Sequence, residues 1–154
     1  FKVDDHYMVG PYDSYWQKEG CGCVSSLLHL RDNLMVSAAD DMTIRFWDID
    51  TMKCFGIHVG HHGYGAEIKS KSAFARRWAP IWCLQHLGGD GTRIASGSYD
   101  RTIVIWDVFD VEHVQVVRTL GGPEHHDNSV LHLSLLEDNI LCSCGGDFCF
   151  KGWD

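Results

Sequence analysis

The sequence predicts an all-β chain of three repeated, four-stranded antiparallel units, the last without its fourth strand. Three observations carry this. One stretch recurs: Ser37 to Asp48, Ser96 to Asp107 and Ser143 to Asp154 each end in Trp-Asp, with an Asp six residues before the Trp and a Ser ten before it. Short runs rich in β-branched and aromatic residues alternate with Asp, Asn and Gly turns, which is strand and hairpin patterning. The recurring tryptophans lie 59 residues apart (Trp47 to Trp106) and 47 apart (Trp106 to Trp153), a spacing that marks a repeat architecture.

The elements follow in order. Residues 1–19 carry Tyr7, Tyr12, Tyr15 and Trp16 among Asp, Gly and Pro and read as a strand and loop ahead of the first unit. In unit one (20–59), Val24 to Leu30 is an inner strand, and Arg31-Asp32-Asn33 is a turn, because Asp and Asn tolerate the required backbone angles. Leu34 to Ala38, Thr43 to Trp47 and Cys54 to Val59 complete the sheet. Residues 60–80 interrupt the pattern. Gly60-His61-His62-Gly63-Tyr64-Gly65 reads as a flexible loop, and Ala66 to Ala79 as a short helix with Phe74 and Trp78 on one face. Unit two (81–122) has strands Ile81–Leu87, Arg93–Gly97, Thr102–Trp106 and Val114–Leu120. Unit three (123–154) has Val130–Leu136, Ile140–Cys144 and Phe148–Trp153.

Bulk properties bound the function. The chain has 154 residues, 45% hydrophobic and 22% charged, as in ordinary soluble domains. Its net charge of −8 argues against general nucleic-acid binding, which needs Lys and Arg to neutralise phosphate. No apolar run is long enough to span a membrane. Seven cysteines, without zinc-type or redox-type spacing and without a secretory signal, suggest reduced thiols and a cytoplasmic setting.

The Ser…Asp…Trp-Asp stretches are similar to those of the WD-repeat β-propeller family, over roughly residues 20–154. The resemblance implies an incomplete propeller of three blades, because closed propellers have about four to eight. It also implies that this chain is part of a longer propeller.

In that family a Trp, Ser, His and Asp form a hydrogen-bonded tetrad inside each blade. Carried over, the members are Ser37, Asp41 and Trp47; Ser96, Asp100 and Trp106; and Ser143, Asp147 and Trp153. The His is expected four residues before the inner strand. His126 stands there in repeat three, but Gly20 and Arg77 stand there in repeats one and two. Only the third tetrad is therefore expected to be complete. Such residues serve the fold: buried indole, hydroxyl and imidazole groups each need a partner. A catalytic Ser-His-Asp set would instead need an exposed nucleophile and an oxyanion site. No catalytic residue and no cofactor is expected.

Two further residue types invite functional readings. Cys142 aligns with Val36 and Ala95, and Cys144 with Ala38 and Gly97, so both are expected to fill small buried slots. His58, His61 and His62 form the best metal-binding candidate, and His125-His126 is another. His126 already has a structural assignment, however, and His61-His62 reads as solvated loop, so no metal site is expected.

The resemblance also places partner contacts. The residue before each tetrad Asp (Asp40, Tyr99 and Gly146) is expected to be exposed on the face that family members usually present. Tyr99 is the strongest anchor. Lys69, Lys71, Arg76 and Arg77 against Glu67 give the insertion a charge of +3, and Arg76-Arg77-Trp78 suits an acidic partner or RNA. The expected function is a non-enzymatic protein–protein interaction scaffold, as a structural subunit of a larger protein complex. Alternatives are substrate recognition for a ubiquitin ligase, RNA contact through the insertion, and metal binding by the His-rich loops.

Overall fold

A computed structural model describes residues 23–62, 79–121 and 125–154. It contains three antiparallel sheets. β1 (Val24–Arg31), β2 (Leu34–Ala39), β3 (Thr43–Asp48) and β4 (Lys53–Val59) form the first, in that order. β5 (Ile81–His86), β6 (Arg93–Ser98), β7 (Ile103–Asp107) and β8 (Gln115–Leu120) form the second. β9 (Val130–Leu135), β10 (Leu141–Gly145) and β11 (Phe150–Trp153) form the third, with a 3₁₀ turn at Glu137–Asn139 between β9 and β10. Each strand expected from Val24 onward lies within two residues of an observed one, whereas the strand and loop expected at 1–19 and residues 66–78 of the expected helix lie outside the described residues. The architecture is that of adjacent propeller blades, without a closed ring.

Strand alternation packs the blades on each other. In β7, Val104 and Trp106 join Leu30, Leu34, Val36, Ile44 and Phe46 of the first blade in one core cluster. Ile103, next to them in sequence, points the other way and joins Val130, Leu133 and Leu141 of the third blade in a second cluster. This is the period-two geometry of a strand with both faces buried. Gly97 sits at the second junction, where a Cβ would lie 2.6 Å from Val130 Cγ1 and 2.7 Å from Cys83 Sγ, so only glycine fits.

The hairpin joining the second and third strands is built alike in all three blades. The residue after the tetrad Asp takes a left-handed conformation: Met42 (φ 69°), Arg101 (φ 72°) and Phe148 (φ 63°). The Asp carboxylate holds this turn by accepting the N–H two residues on, from Thr43 at 3.0 Å, Thr102 at 3.0 Å and Cys149 at 3.1 Å. The strain of a non-glycine residue there is offset by these bonds.

Arg31 ties the first blade to the second. Its guanidinium donates to the carbonyls of Gly91 (2.7 Å), Phe109 (2.8 Å) and Val108 (3.3 Å), which lie in two different loops of blade two.

The two cysteines expected in small slots differ. Cys142 is buried, but Cys144 is exposed. Its counterparts Ala38 and Gly97 are buried because the following blade covers them, and no described blade follows Cys144.

Candidate functional site: buried Trp-Ser-His-Asp locks and the rim above them

Each Trp-Ser pair forms at the same distance. Trp47, Trp106 and Trp153 donate their indole N–H to Ser37, Ser96 and Ser143 Oγ, each at 2.8 Å. The pairs span the second and third strands of one hairpin, and both partners are fixed by strand register.

In blade three, His126 Nε2 lies 2.7 Å from Ser143 Oγ, and His126 Nδ1 lies 2.9 and 3.0 Å from the two oxygens of Asp147. The Ser oxygen accepts the indole hydrogen, so its own hydrogen goes to Nε2. That leaves Nδ1–H to donate to the carboxylate.

Blade two contains the same network, and its His is not at position 77. His61 Nε2 lies 2.8 Å from Ser96 Oγ, and His61 Nδ1 lies 3.1 and 3.2 Å from the Asp100 oxygens. His61 is 1% exposed, so its expected place in a solvated loop is corrected, as is the expectation that the second tetrad is incomplete. The reason is positional. His126 precedes Val130 by four residues, whereas His61 precedes Ile81 by twenty. The insertion falls between the His and the strand from which its position was counted. Gly60 and His61 are therefore part of the blade, and Ala79 and Pro80 are buried at the other end of the insertion. Lys69, Lys71, Arg76, Arg77 and Trp78 lie outside the described residues, as does Gly20.

In blade one, Arg45 Nη2 donates to Asp41 Oδ2 at 3.0 Å, and both side chains are buried. Arg45 has Val104 and Lys151 as counterparts, and nothing in the repeated motif signalled its role. Lys151 Nζ instead donates to the His125 carbonyl at 2.8 Å.

The electrostatics follow from this packing. Burial acts to raise the Asp100 pKa. The hydrogen bond and charge of His61 and the donors of Thr102 outweigh it, so the carboxyl lies below its ordinary value. Asp147 is also held low: burial acts upward, and the N–H groups of Cys149 and Asp127 together with His126 act more strongly downward. These sets contain the groups of a hydrolytic triad, but Ser96 is 0% exposed and its oxygen already accepts the Trp106 indole. The network can hold a blade together; a substrate cannot reach it.

Asp40, Tyr99 and Gly146 stand directly above the locks. They are half-buried rather than exposed, because each donates its backbone N–H to the carbonyl just before an inner strand. The acceptors are Cys23 (3.1 Å), Pro80 (2.9 Å) and Ser129 (2.9 Å). Asp40 Oδ1 is buried without a hydrogen-bond partner, and burial raises the Asp40 pKa despite the Cys23 backbone bond. Of the metal candidates, His61 and His126 belong to the locks, His62 is exposed, and the His58 ring meets Phe46 edge-on at 5.7 Å. No group of three or more His, Cys, Asp or Glu suited to a metal occurs among the described residues. None of their helices is long and apolar enough to cross a membrane.

The profile of the family described as "WD domain, G-beta repeat" matches residues 16–48 and 74–107. The second match starts beyond His61, so it too passes over the buried imidazole. Mitochondrial division protein 1 of Aspergillus clavatus is 30% identical over 117 residues, covering 71% of this chain and 15% of that protein. WD repeat-containing protein 70 of Xenopus tropicalis is 32% identical over 123 residues, covering 77% of this chain and 17% of that one. Telomerase protein component 1 of Mus musculus is 24% identical over 141 residues, covering 92% and 5%. The chain thus spans less than a fifth of the length of these relatives. Among solved structures, the WD40 β-propeller domain of Doa1 superposes with a TM-score of 0.59 at 21% identity, covering 85% of this chain and 36% of that one.

Proposed function

The chain belongs to the WD40-repeat β-propeller family, and from that premise we propose that it is a non-catalytic scaffold that holds other proteins, as a structural subunit of a larger assembly. Proteins of this family typically serve as interaction scaffolds. One observation carries the reading for this chain. Asp40, Tyr99 and Gly146 occupy equivalent places on a backbone fixed by equivalent hydrogen bonds, yet their side chains are an acid, an aromatic and none. A rigid frame with varied side chains suits selective protein binding, because the frame loses little freedom when the partner docks. The Ser, His and Asp groups beneath are occupied in the locks, and that supports a structural role for them. The reduced-thiol reading of the cysteines adds a cytoplasmic setting to the proposal.

Cross-linking mass spectrometry on the native protein, with Lys69 and Lys71 as reactive sites, tests this. Stoichiometric links to one complex, lost with Tyr99→Ala while the far-ultraviolet spectrum is unchanged, are the expected result. Links to many substoichiometric proteins, with ubiquitin machinery among them, would overturn it in favour of a substrate receptor.

A further inference from the structure

The strand ends away from Asp40 and Tyr99 carry the turns at 31–33 and 48–53 of blade one and at 87–93 and 107–114 of blade two. All four lie between described strands. Arg31 draws them together through the carbonyls of Gly91, Val108 and Phe109. Beside it runs a groove of about 240 Å³, lined by Leu34, Phe55 and Val111 together with Asp32 and Asp48. Phe109 lines a neighbouring hollow of about 650 Å³. Its N–H donates to Asp107 Oδ1 at 3.0 Å and its carbonyl accepts Arg31 Nη2 at 2.8 Å, so the backbone is pinned on both sides, yet the residue is 72% exposed. An aromatic ring presented on a fixed backbone loses little freedom when a partner docks on it.

Charge decides what fits there. These four turns hold seven acidic residues against Arg31, Lys53 and Arg93. The Arg31 guanidinium is taken up by carbonyls, and Lys53 and Arg93 stand opposite Asp48 and Asp107 in strand register. Asp32, Asp50, Asp90, Asp110 and Glu112 have no lysine or arginine within ion-pair distance among the described residues. The Asp32 and Glu112 carboxylates make no hydrogen bond with a described residue either. An apolar groove with unanswered carboxylates beside an exposed aromatic matches a long cationic side chain. Such a side chain lays its aliphatic stem on apolar surface, holds its charged head at the acids, and is attracted to an aromatic face.

We propose that this groove and Phe109 receive an arginine- or lysine-bearing segment of another protein. Leu34, Phe55 and Val111 take the aliphatic stem, Asp32 and Glu112 take the cationic head, and the Phe109 ring anchors the flanking part of the segment. The surface is at the opposite end of the strands from the rim of Asp40, Tyr99 and Gly146, and the inference does not depend on what that rim binds.

The probe is a short labelled peptide with arginine and valine at alternate positions, run beside the same peptide with glutamate for arginine. Each is titrated into the protein by fluorescence anisotropy, and hydrogen exchange is read with and without it. Expected are saturable binding of the arginine peptide alone, weakening as salt rises, and exchange slowed at residues 109–112 but unchanged at 40 and 99. The Asp32→Asn, Glu112→Gln double variant and the Phe109→Ala variant should each bind about tenfold more weakly. Both change exposed side chains, so their melting temperatures should match the parent's. Equal affinity for either variant would overturn the proposal. So would equal binding of the glutamate peptide, binding without protection at 109–112, or no binding at all. Sedimentation showing that the protein assembles with itself through the same carboxylates would also overturn it, by making a second copy the occupant.

Discussion

Gly60 lies flat against the indole of Trp106. A Cβ at residue 60 would stand 2.3 Å from Trp106 Cη2 and 2.8 Å from Cζ2. Trp106 is 1% exposed and its N–H is bound to Ser96, so the ring has nowhere to go. Gly60→Ala should destabilise the protein by about 1–3 kcal/mol through overpacking. Urea unfolding would check this, and an unchanged midpoint would mean that the ring moves freely.

The two adjacent imidazoles should behave oppositely. His61→Ala removes a buried partner from both Asp100 and Ser96, so a loss of about 3 kcal/mol is expected. His62 is exposed, and His62→Ala should shift stability by less than about 0.5 kcal/mol. Thermal melts of the two variants side by side decide the matter.

Shortening the insertion should leave the fold intact. Deleting residues 63–78 joins His61-His62 to Ala79-Pro80-Ile81, which reproduces the spacing of His126-Asp127-Asn128-Ser129-Val130. Pro80 and Ser129 already have the same task, accepting the N–H of Tyr99 and of Gly146. The shortened chain should keep its β-sheet circular dichroism and lie within about 1 kcal/mol of the parent, since loop length weighs lightly on stability. Collapse of the signal would assign the insertion a structural role.

Acid should loosen the second and third blades through their carboxylates. Asp100 and Asp147 have folded pKa values below the ordinary 3.8, so the unfolded chain takes up protons first as pH falls. Their contribution is complete above the unfolded value and is lost as pH falls through the folded one. Stability measured from pH 6 downward should therefore stay level and then drop below about pH 4. Asp100→Asn should be less stable at pH 6 and show a shallower acid limb. An identical limb would remove Asp100 as a cause.

Thiol reactivity should separate the cysteines by blade junction. Cys83 is sealed between blades two and three, and burial pushes its thiol up to about 12. At pH 8 in native buffer, alkylation followed by mass spectrometry should label exposed Cys23, Cys144 and Cys149 but not Cys83 or Cys142 until denaturant is added. Early labelling of Cys83 would show that the junction opens.

What could be read from the sequence was whatever is local to one hairpin. The Ser-to-Trp offset of ten residues is set by two strands and a tight turn of fixed length, so it repeats without change and gives away the blade. The His belongs to a different segment, joined to its strand by a loop whose length nothing constrains, so counting back from Ile81 landed on Arg77 instead of His61. Arg45 was equally invisible, because a guanidinium beside Asp41 is particular to one blade. Cys144 was misread for another reason: its burial depends on a neighbouring blade, and alignment within a repeat cannot see beyond that repeat.

The orientation of the locks has a further consequence. Trp106 packs toward blade one and Trp153 toward blade two, so the locks of blades two and three are covered from the side of the blade before them. The stack consequently has a polarity. Peeling away the last blade leaves the earlier locks sealed, whereas loosening the first lets water reach the lock of the second. Among these three blades, loosening blade one should therefore expose the lock of blade two sooner than loosening blade three does.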